Sequence, residues 1–535
     1  MKCLAAVLAV LTACHTTVPS RPLAVRHPRL VVLIVIDQLP SWAFERDRAL
    51  YTGGLARLLR EGAYVRRAQL PYANTFTASG HATIATGATP SVHGIVGNQW
   101  WRRVEQRERP AEYDPASPVL PVVPLDTPLS PEATGSAHAM LVPGIADALR
   151  TATHDRGHTI AISLKPRSAC MVAGQHPELA VWFDAGAGGM TTSTAYAPTP
   201  PSWLLELAKK RPPNRFVGQV WTPLDAAKLA ANTQVPDDAP GEGALHGMGT
   251  AFPHTVHDLE ELLHTPFGDE IVMDAVNAAL DAVPLGADEI PDLLAISFSA
   301  HDYVGHNFGP DSWEILDLTL RLDSALGELF ATLDKRLGAD GWAVVLTSDH
   351  GATPLVERAR VAGARRFSPT DIATAGGVQI AKITSNQVYM TTAWAQLSAA
   401  EQSASVDAAA SAIRTTYPEI DVFVTADRTR CAQPGLAGDV CRSVVPGESG
   451  ELYLAPHRGF VITDYKTGTH HDAPNPDNQE VPILVRAPGV TAQTIERGSL
   501  LQVAPTLAAL LGIAPPASAT ESPLFGIEAR WPARP

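Results

Sequence analysis

Cysteine is scarce, with five in 535 residues, and no pair stands in a Cys-x-x-Cys or Cys/His spacing. Disulfides therefore do not build the fold, and a cysteine-based zinc site is excluded. Basic residues are also short: 41 Lys plus Arg face 55 Asp plus Glu, a formal charge of -14. A surface of that sign repels a phosphate backbone, which excludes nucleic acid as a general partner. An anionic ligand would have to be held locally, by metals or a few cations. Charged residues make up 18% of the chain against 45% hydrophobic ones. That balance excludes a disordered or collagenous polymer and permits a large core. Repeats at solenoid periods are missing.

What is present begins with a short apolar segment. Residues 1–14, MKCLAAVLAVLTAC, place one Lys before an apolar stretch and then small residues. The pattern predicts a secretory signal that is too short to span a bilayer. The ending Leu11-Thr12-Ala13-Cys14 resembles a bacterial lipobox, which implies acylation of Cys14; a plain signal peptide is the other reading. Residues 15–28 then read as a tether. No later apolar run reaches membrane-spanning length, so the expected location is periplasmic or at the cell surface, with the membrane touched only through Cys14. Cys431 and Cys441 bracket a Pro/Gly loop whose ends can meet, predicting a disulfide that leaves Cys170 free.

Short apolar runs at 30–36, 159–164, 293–298, 342–346 and 481–485 read as strands, bounded by turns or helical patterns. Helical periodicity appears at 53–62, 142–153, 271–282, 312–337, 397–415 and 500–511. Near-continuous apolar strands separated by helices predict an α/β fold with a mostly parallel central sheet covered on both faces. The 45 Pro and 40 Gly exceed average usage. Pro is dense in stretches near 103–135 and 197–255, predicted to be inserted cap segments on one catalytic domain, 29–515, with a tail at 516–535.

Open α/β sheets bind ligands beyond the carboxyl ends of their strands, and four candidates fall there. Asp37 follows VVLIVI. Asp302 and His306 follow LLAISF, four residues apart and so on one face of a helix. Asp349-His350 follows VVLT, and the pair His470-His471 lies in GTHHDAPNPDNQEVPIL. Each alone has a mundane reading as a cap, turn or core residue. Together they supply two sites of three ligands, and His with carboxylate is the ligand set of catalytic zinc. Hydroxyls at Thr75, Thr77 and Ser79 precede a small-residue stretch that opens a helix, where a nucleophile or a bound phosphate gains from the positive potential. Beside zinc such a hydroxyl needs no histidine base.

The order of Asp37, TFTASGHATIATG, PSVHGIVGN, HDYVGH, SDHG and a late GTHHD resembles the alkaline phosphatase superfamily. It is most similar to the two-zinc branch with a threonine nucleophile, which holds nucleotide pyrophosphatase/phosphodiesterases and phosphate-irrepressible alkaline phosphatases. The resemblance runs from about residue 30 to 515. It implies an alkaline-phosphatase-like core, two Zn2+, Thr77 as nucleophile and also a metal ligand, and Asn98 on a phosphoryl oxygen. Asp302, His306 and His471 match one zinc site, and Asp37, Asp349 and His350 the other. His471 is preferred to His470 by its distance from Val481-Pro482, while Asp472 stands where the family has Gly. In AISLKPRSA, Lys165 and Arg167 stand two apart, so an extended segment would point both to one face. They resemble the Lys-x-Arg pair that contacts terminal phosphoryl oxygens. Paired cations there favour monoester dianions. The resemblance thus implies a phosphomonoesterase acting on small phosphate monoesters. A phosphodiesterase or nucleotide pyrophosphatase with the same metals is the alternative, and a non-catalytic surface lipoprotein the remote one.

Overall fold

A computed structural model describes residues 27–245 and 247–526. The predicted signal at 1–14, Cys14, nearly all of the tether and the end of the tail lie outside the described residues. The centre is a ten-stranded sheet. In spatial order its strands are Gln493–Ser499, Ala63–Gln69, Glu480–Arg486, Trp342–Thr347, Leu30–Ile36, Asp292–Phe298, Thr159–Ser163, Leu179–Asp184, Gly189–Ser193 and Val119–Leu120.

Every residue of Leu30–Ile36 is buried, because both faces of the sheet are covered. Leu30, Val32, Ile34 and Ile36 pack with Leu322, Leu326 and Phe330 of the long helix Trp313–Leu337. Val31, Leu33 and Val35 pack on the other side with Ala78 and Ala82 of helix Thr77–Thr86 and Leu507 of helix Val503–Leu511. This is why the strand reads as a continuous apolar run rather than an alternating one. Pro505 is accommodated in the first turn of Val503–Leu511, where backbone N–H groups have no intrahelical partner to lose.

The five central strands from Trp342–Thr347 through Leu179–Asp184 run parallel. The sheet is mixed beyond them. Glu480–Arg486 runs antiparallel to both Trp342–Thr347 and Ala63–Gln69, and Gly189–Ser193 runs antiparallel to Leu179–Asp184. No sequence signal distinguished the apolar strand at 480–486 from its parallel neighbours, since a strand covered on both faces looks the same in either direction.

Between Trp342–Thr347 and Glu480–Arg486 the chain builds a second, four-stranded antiparallel sheet in the order Ile380–Thr384, Gln387–Met390, Leu452–Pro456, Ile420–Val424. It has its own core of Ile383, Val388, Val406, Ile413, Leu452 and Leu454. This insertion is larger than either Pro-rich stretch. Of those stretches, 103–135 supplies the edge strand Val119–Leu120, and 197–255 buries Leu204, Phe216 and Trp221 against the core behind the sheet. Cys431 and Cys441 are disulfide-bonded and Cys170 is free and buried, as the loop composition predicted. No described helix is long and apolar enough to cross a membrane.

Candidate active site

The sheet directions bring the candidate residues to one edge. Asp37, Lys165, the helix Ala300–Phe308 and Asp349-His350 all follow the carboxyl ends of central parallel strands. His471 precedes its strand instead, and reaches the same edge because Glu480–Arg486 runs the opposite way. Ala63–Gln69 is antiparallel to that strand in turn, so its carboxyl end also lies there. From it the chain passes through residues 70–76 to Thr77, the first residue of its helix. Two glycines permit the close packing this requires. A Cβ on Gly80 would fall 2.3 Å from the Asp349 carbonyl oxygen, and one on Gly305 would fall 1.9 Å from Gln38 Oε1.

Two sets of ligand atoms converge: Asp302, His306 and His471, and Asp37, Asp302 and His350, each within 4.8 Å of one another. Asp302 thus stands between both groups. Its Oδ1 is 3.3 Å from His306 Nε2 and 3.6 Å from His471 Nε2. On the other side His350 Nε2 lies 3.5 Å from Asp37 Oδ1 and 3.4 Å from Asp349 Oδ2. Each histidine turns its other nitrogen to a backbone carbonyl: His306 Nδ1 to Thr469, His350 Nδ1 to Gly351, and His471 Nδ1 to Thr75. A proton held on Nδ1 leaves the Nε2 lone pair facing the carboxylates, the orientation that metal-ligating histidines adopt. The His470 side chain is outside both groups.

Three carboxylates and one ammonium, that of Lys165, are buried together. Asp37, Asp302 and Asp349 are all buried, and Asp37 Oδ1 and Asp349 Oδ2 have no hydrogen-bond partner. Burial, followed by the nearby Asp349, pushes the Asp37 carboxyl well above its ordinary range. Burial works in the same direction on Asp302, but His306 and Lys165 reverse it and hold that carboxyl well below. Burial and the neighbouring His350 and His470 keep His471 neutral. Burial likewise lowers the His350 pKa, whereas at His306 burial is outweighed by Asp302, which raises it. Neutral His350 and His471 beside the orphaned oxygens of Asp37 and Asp349 fit a divalent metal.

Lys165 Nζ donates to Asp37 Oδ2 at 2.8 Å and to Asp302 Oδ2. Burial opposes its charge, yet the two carboxylates raise its pKa to about 12. The extended geometry expected for Lys165 and Arg167 is not what forms. Pro166 opens helix Pro166–Ala173 directly after Lys165, as its restricted φ favours. Lys165 is fully buried among the carboxylates, and Arg167 keeps a buried Nε without a partner in the field of Glu112, Asp37 and Asp302.

The three hydroxyls separate clearly. Thr75 Oγ1 donates to the His471 carbonyl and Ser79 Oγ to the Ile95 carbonyl. Thr77 Oγ1 instead lies 3.4 Å from His350 Nε2, at a helix N-terminus whose preceding residue, Phe76, supplies no side-chain cap. Asn98 Oδ1 accepts from the Ala78 amide at 2.9 Å, which leaves the Asn98 amino group to serve a ligand.

Three residues at the site were not singled out in the sequence. Gln38, with φ +65°, donates from its backbone N–H to Asp349 Oδ1 at 3.2 Å and from Nε2 to Asp302 Oδ1 at 2.7 Å. His81 lies 3.2 Å from Asp349 Oδ2, and His301 Nδ1 meets the Asp37 carbonyl at 3.0 Å. Their only signal was adjacency to a ligand or a place in the TFTASGHATIATG run. A cleft of about 570 Å³ is lined by Phe76, Asn98 and His470, of which Phe76 and His470 adjoin Thr77 and His471, and by Lys382, Asn386 and Tyr465 of the inserted segment.

This constellation of Asp and His on sheet edges around a helix-borne threonine is a candidate metal site beside its hydroxyl, the layout of a hydrolase. The type I phosphodiesterase/nucleotide pyrophosphatase family matches residues 31–480, and the chain belongs to that family. Alkaline phosphatase PhoV of Synechococcus elongatus is 31% identical over 92% of each chain. Alkaline phosphatase PafA of Elizabethkingia meningoseptica is 28% identical over 95% of this chain and 96% of its own. The crystal structure of wild-type PafA superposes with a TM-score of 0.84 at 27% identity, covering 94% of this chain and 99% of PafA. A second PafA structure carries substitutions of a threonine, an asparagine, a lysine and an arginine. Murine ectonucleotide pyrophosphatase/phosphodiesterase 5 shares the fold, with a TM-score of 0.53 at 13% identity over 92% of this chain and 96% of its own.

Proposed function

We propose that this chain is an alkaline phosphatase that hydrolyses phosphate monoesters through a phosphothreonine at Thr77, with two Zn2+ held by Asp302, His306 and His471 and by Asp37, Asp349 and His350. The observation that carries the reading is the placement of the Thr77 hydroxyl beside His350, at the edge of a cluster of three buried carboxylates and three histidines. Thr77 Oγ forms the bond to phosphorus as the ester P–O bond breaks, and water then cleaves the phosphothreonine to release inorganic phosphate. Two zinc ions would supply Lewis-acid stabilisation of the attacking and leaving oxygens. The N-terminus of the Thr77 helix adds positive potential where the phosphoryl group sits. Asn98 donates its amino group to a non-bridging oxygen, and Lys165 with Arg167 balances the dianion's third oxygen. The names of the PhoV and PafA relatives support monoesters, as does the threonine, asparagine, lysine and arginine set altered in PafA. The family's phosphodiesterase members keep a diester reading in view. Export through residues 1–14, with Cys14 acylated, belongs to this proposal and places the acidic chain outside the inner membrane.

Thr77→Ala should lower turnover of a nitrophenyl monoester by at least about a thousandfold with zinc content retained; wild-type turnover would remove Thr77 from the reaction. Comparing monoester with matching diester turnover, before and after Lys165→Ala, decides the substrate class. A diester preference that Lys165→Ala leaves intact would overturn the monoester reading.

A further inference from the structure

Residues 431–443 lie hundreds of residues downstream of Thr77, yet they grip the chain just ahead of it. The Cys431–Cys441 bond closes a loop onto helix Leu436–Ser443. Fully buried at the end of that helix, Ser443 uses its whole hydrogen-bonding inventory. Its Oγ–H donates to the Asp439 carbonyl at 2.9 Å, and the same oxygen accepts from the amides of Ala73 at 2.7 Å and Asn74 at 3.1 Å. The Ser443 carbonyl accepts from Asn74 Nδ2 at 3.1 Å. Arg442 Nε donates to the Pro71 carbonyl at 2.5 Å, and its Nη1 donates to the Cys431 carbonyl at 2.5 Å.

Tyr453 Oη and Gln479 Nε2 hold the carbonyls of Ala73 and Tyr72, each at 2.8 Å. The backbone of residues 71–74 thus takes partners outside its own segment, most of them from the insertion. Two tight turns follow, Thr75 N to Ala73 O at 3.0 Å and Phe76 N to Asn74 O at 2.9 Å, and the next residue is Thr77. The lever from Ser443 to the Thr77 hydroxyl is therefore short and rigid.

We propose that Ser443, clamped by the Cys431–Cys441 disulfide, is a positioning residue for Thr77, so that the inserted segment sets the nucleophile's place in line with phosphorus. The proposal rests on Thr77 being the nucleophile. Asp37, Asp302, His306, Asp349, His350, Lys165 and Arg167 are carried by other elements, and His471 touches this loop through Thr75, so loss of Ser443 is expected to move kcat more than ground-state binding.

The test uses the full zinc-loaded chain and a nitrophenyl monoester. Ser443→Ala is expected to lower kcat on the order of 10- to 100-fold, the scale of a misplaced reacting group. KM, inhibition by inorganic phosphate and zinc content are expected to stay as in the parent. Opening the disulfide, by Cys431→Ser with Cys441→Ser, is expected to lower kcat in the same way by a smaller factor. A folded Ser443→Ala protein with parental kcat overturns the proposal, as does one in which kcat, KM and phosphate inhibition all worsen together. Should Ser443→Ala fail to fold, the disulfide-opened protein decides: unchanged kcat overturns the proposal, and reduced kcat at constant KM supports it. Thr77→Ala measured alongside separates the two readings. An active Thr77→Ala protein sinks the nucleophile assignment and this proposal with it, whereas an inactive one beside a fully active Ser443→Ala sinks this proposal alone.

Discussion

The two sheets contribute to one site in different ways. The ten-stranded sheet presents Asp37, Lys165, Asp302, Asp349 and His350 at or just beyond strand ends, each within a few residues of an element buried on both faces. The four-stranded sheet presents no residue to the ligand groups. Its Lys382 and Asn386 line the cleft, and the helix that follows Ile420–Val424 holds the loop before Thr77. A strand end in a doubly covered sheet is rigid because the strand behind it has no freedom. A loop such as 70–76 has no such support, and it is ordered by hydrogen bonds from a unit inserted far downstream.

The comparison is broken most severely from the metal side. His306→Ala removes a ligand from a part-buried position on its helix, so zinc content should fall below that of the parent and turnover with it, by about 10- to 100-fold or more at limiting zinc. Metal analysis beside a thermal melt checks this; full zinc content in a folded variant would remove His306 from the ligand set. A mutation in the small sheet should act more gently on chemistry. Leu454→Ala empties part of the separate core and is expected to cost about 2 to 5 kcal/mol of stability. Zinc content should be kept, so a folded Leu454→Ala protein that loses its metal would show that the two sheets are not separable in this way.

The smallest effect on turnover is expected at Asp269, on helix Pro266–Ala282 behind the main sheet. Burial raises its pKa to about 8, so between the ordinary carboxylate range and pH 8 the unfolded chain releases a proton that the folded chain retains. Folding stability should therefore fall as pH rises through that window. Asp269→Asn should flatten this slope and leave turnover at pH 7 unchanged; denaturation midpoints at pH 5 and pH 8 measure it, and an identical slope in both proteins would show that Asp269 does not titrate there.

Much of this was legible from residue order. The strands at 30–36, 159–163 and 342–347 stand where the apolar runs predicted, because a strand buried on both sides must be apolar throughout. Asp302 and His306 share a helix face as their spacing required. Of Thr75, Thr77 and Ser79, only the fold identifies the hydroxyl that faces His350, since the other two are engaged by carbonyls from 471 and 95. Lys165 and Arg167 would share a face only on an extended segment, and Pro166 opens a helix there instead. Gln38 carries no motif of its own, and its role follows from a left-handed backbone angle that turns it between Asp302 and Asp349.

The order of ligands along the chain, their spacing and the apolar runs before them determined the fold class and the candidate metal chemistry, because those properties depend on local periodicity and on residue type. Only the tertiary structure decided which strands run antiparallel, that Asp302 stands between both ligand groups, and that Ser443 reaches the loop before Thr77. Those depend on contacts between segments separated by hundreds of residues, whose closure is governed by the packing of the whole chain and leaves no periodic trace in any one segment.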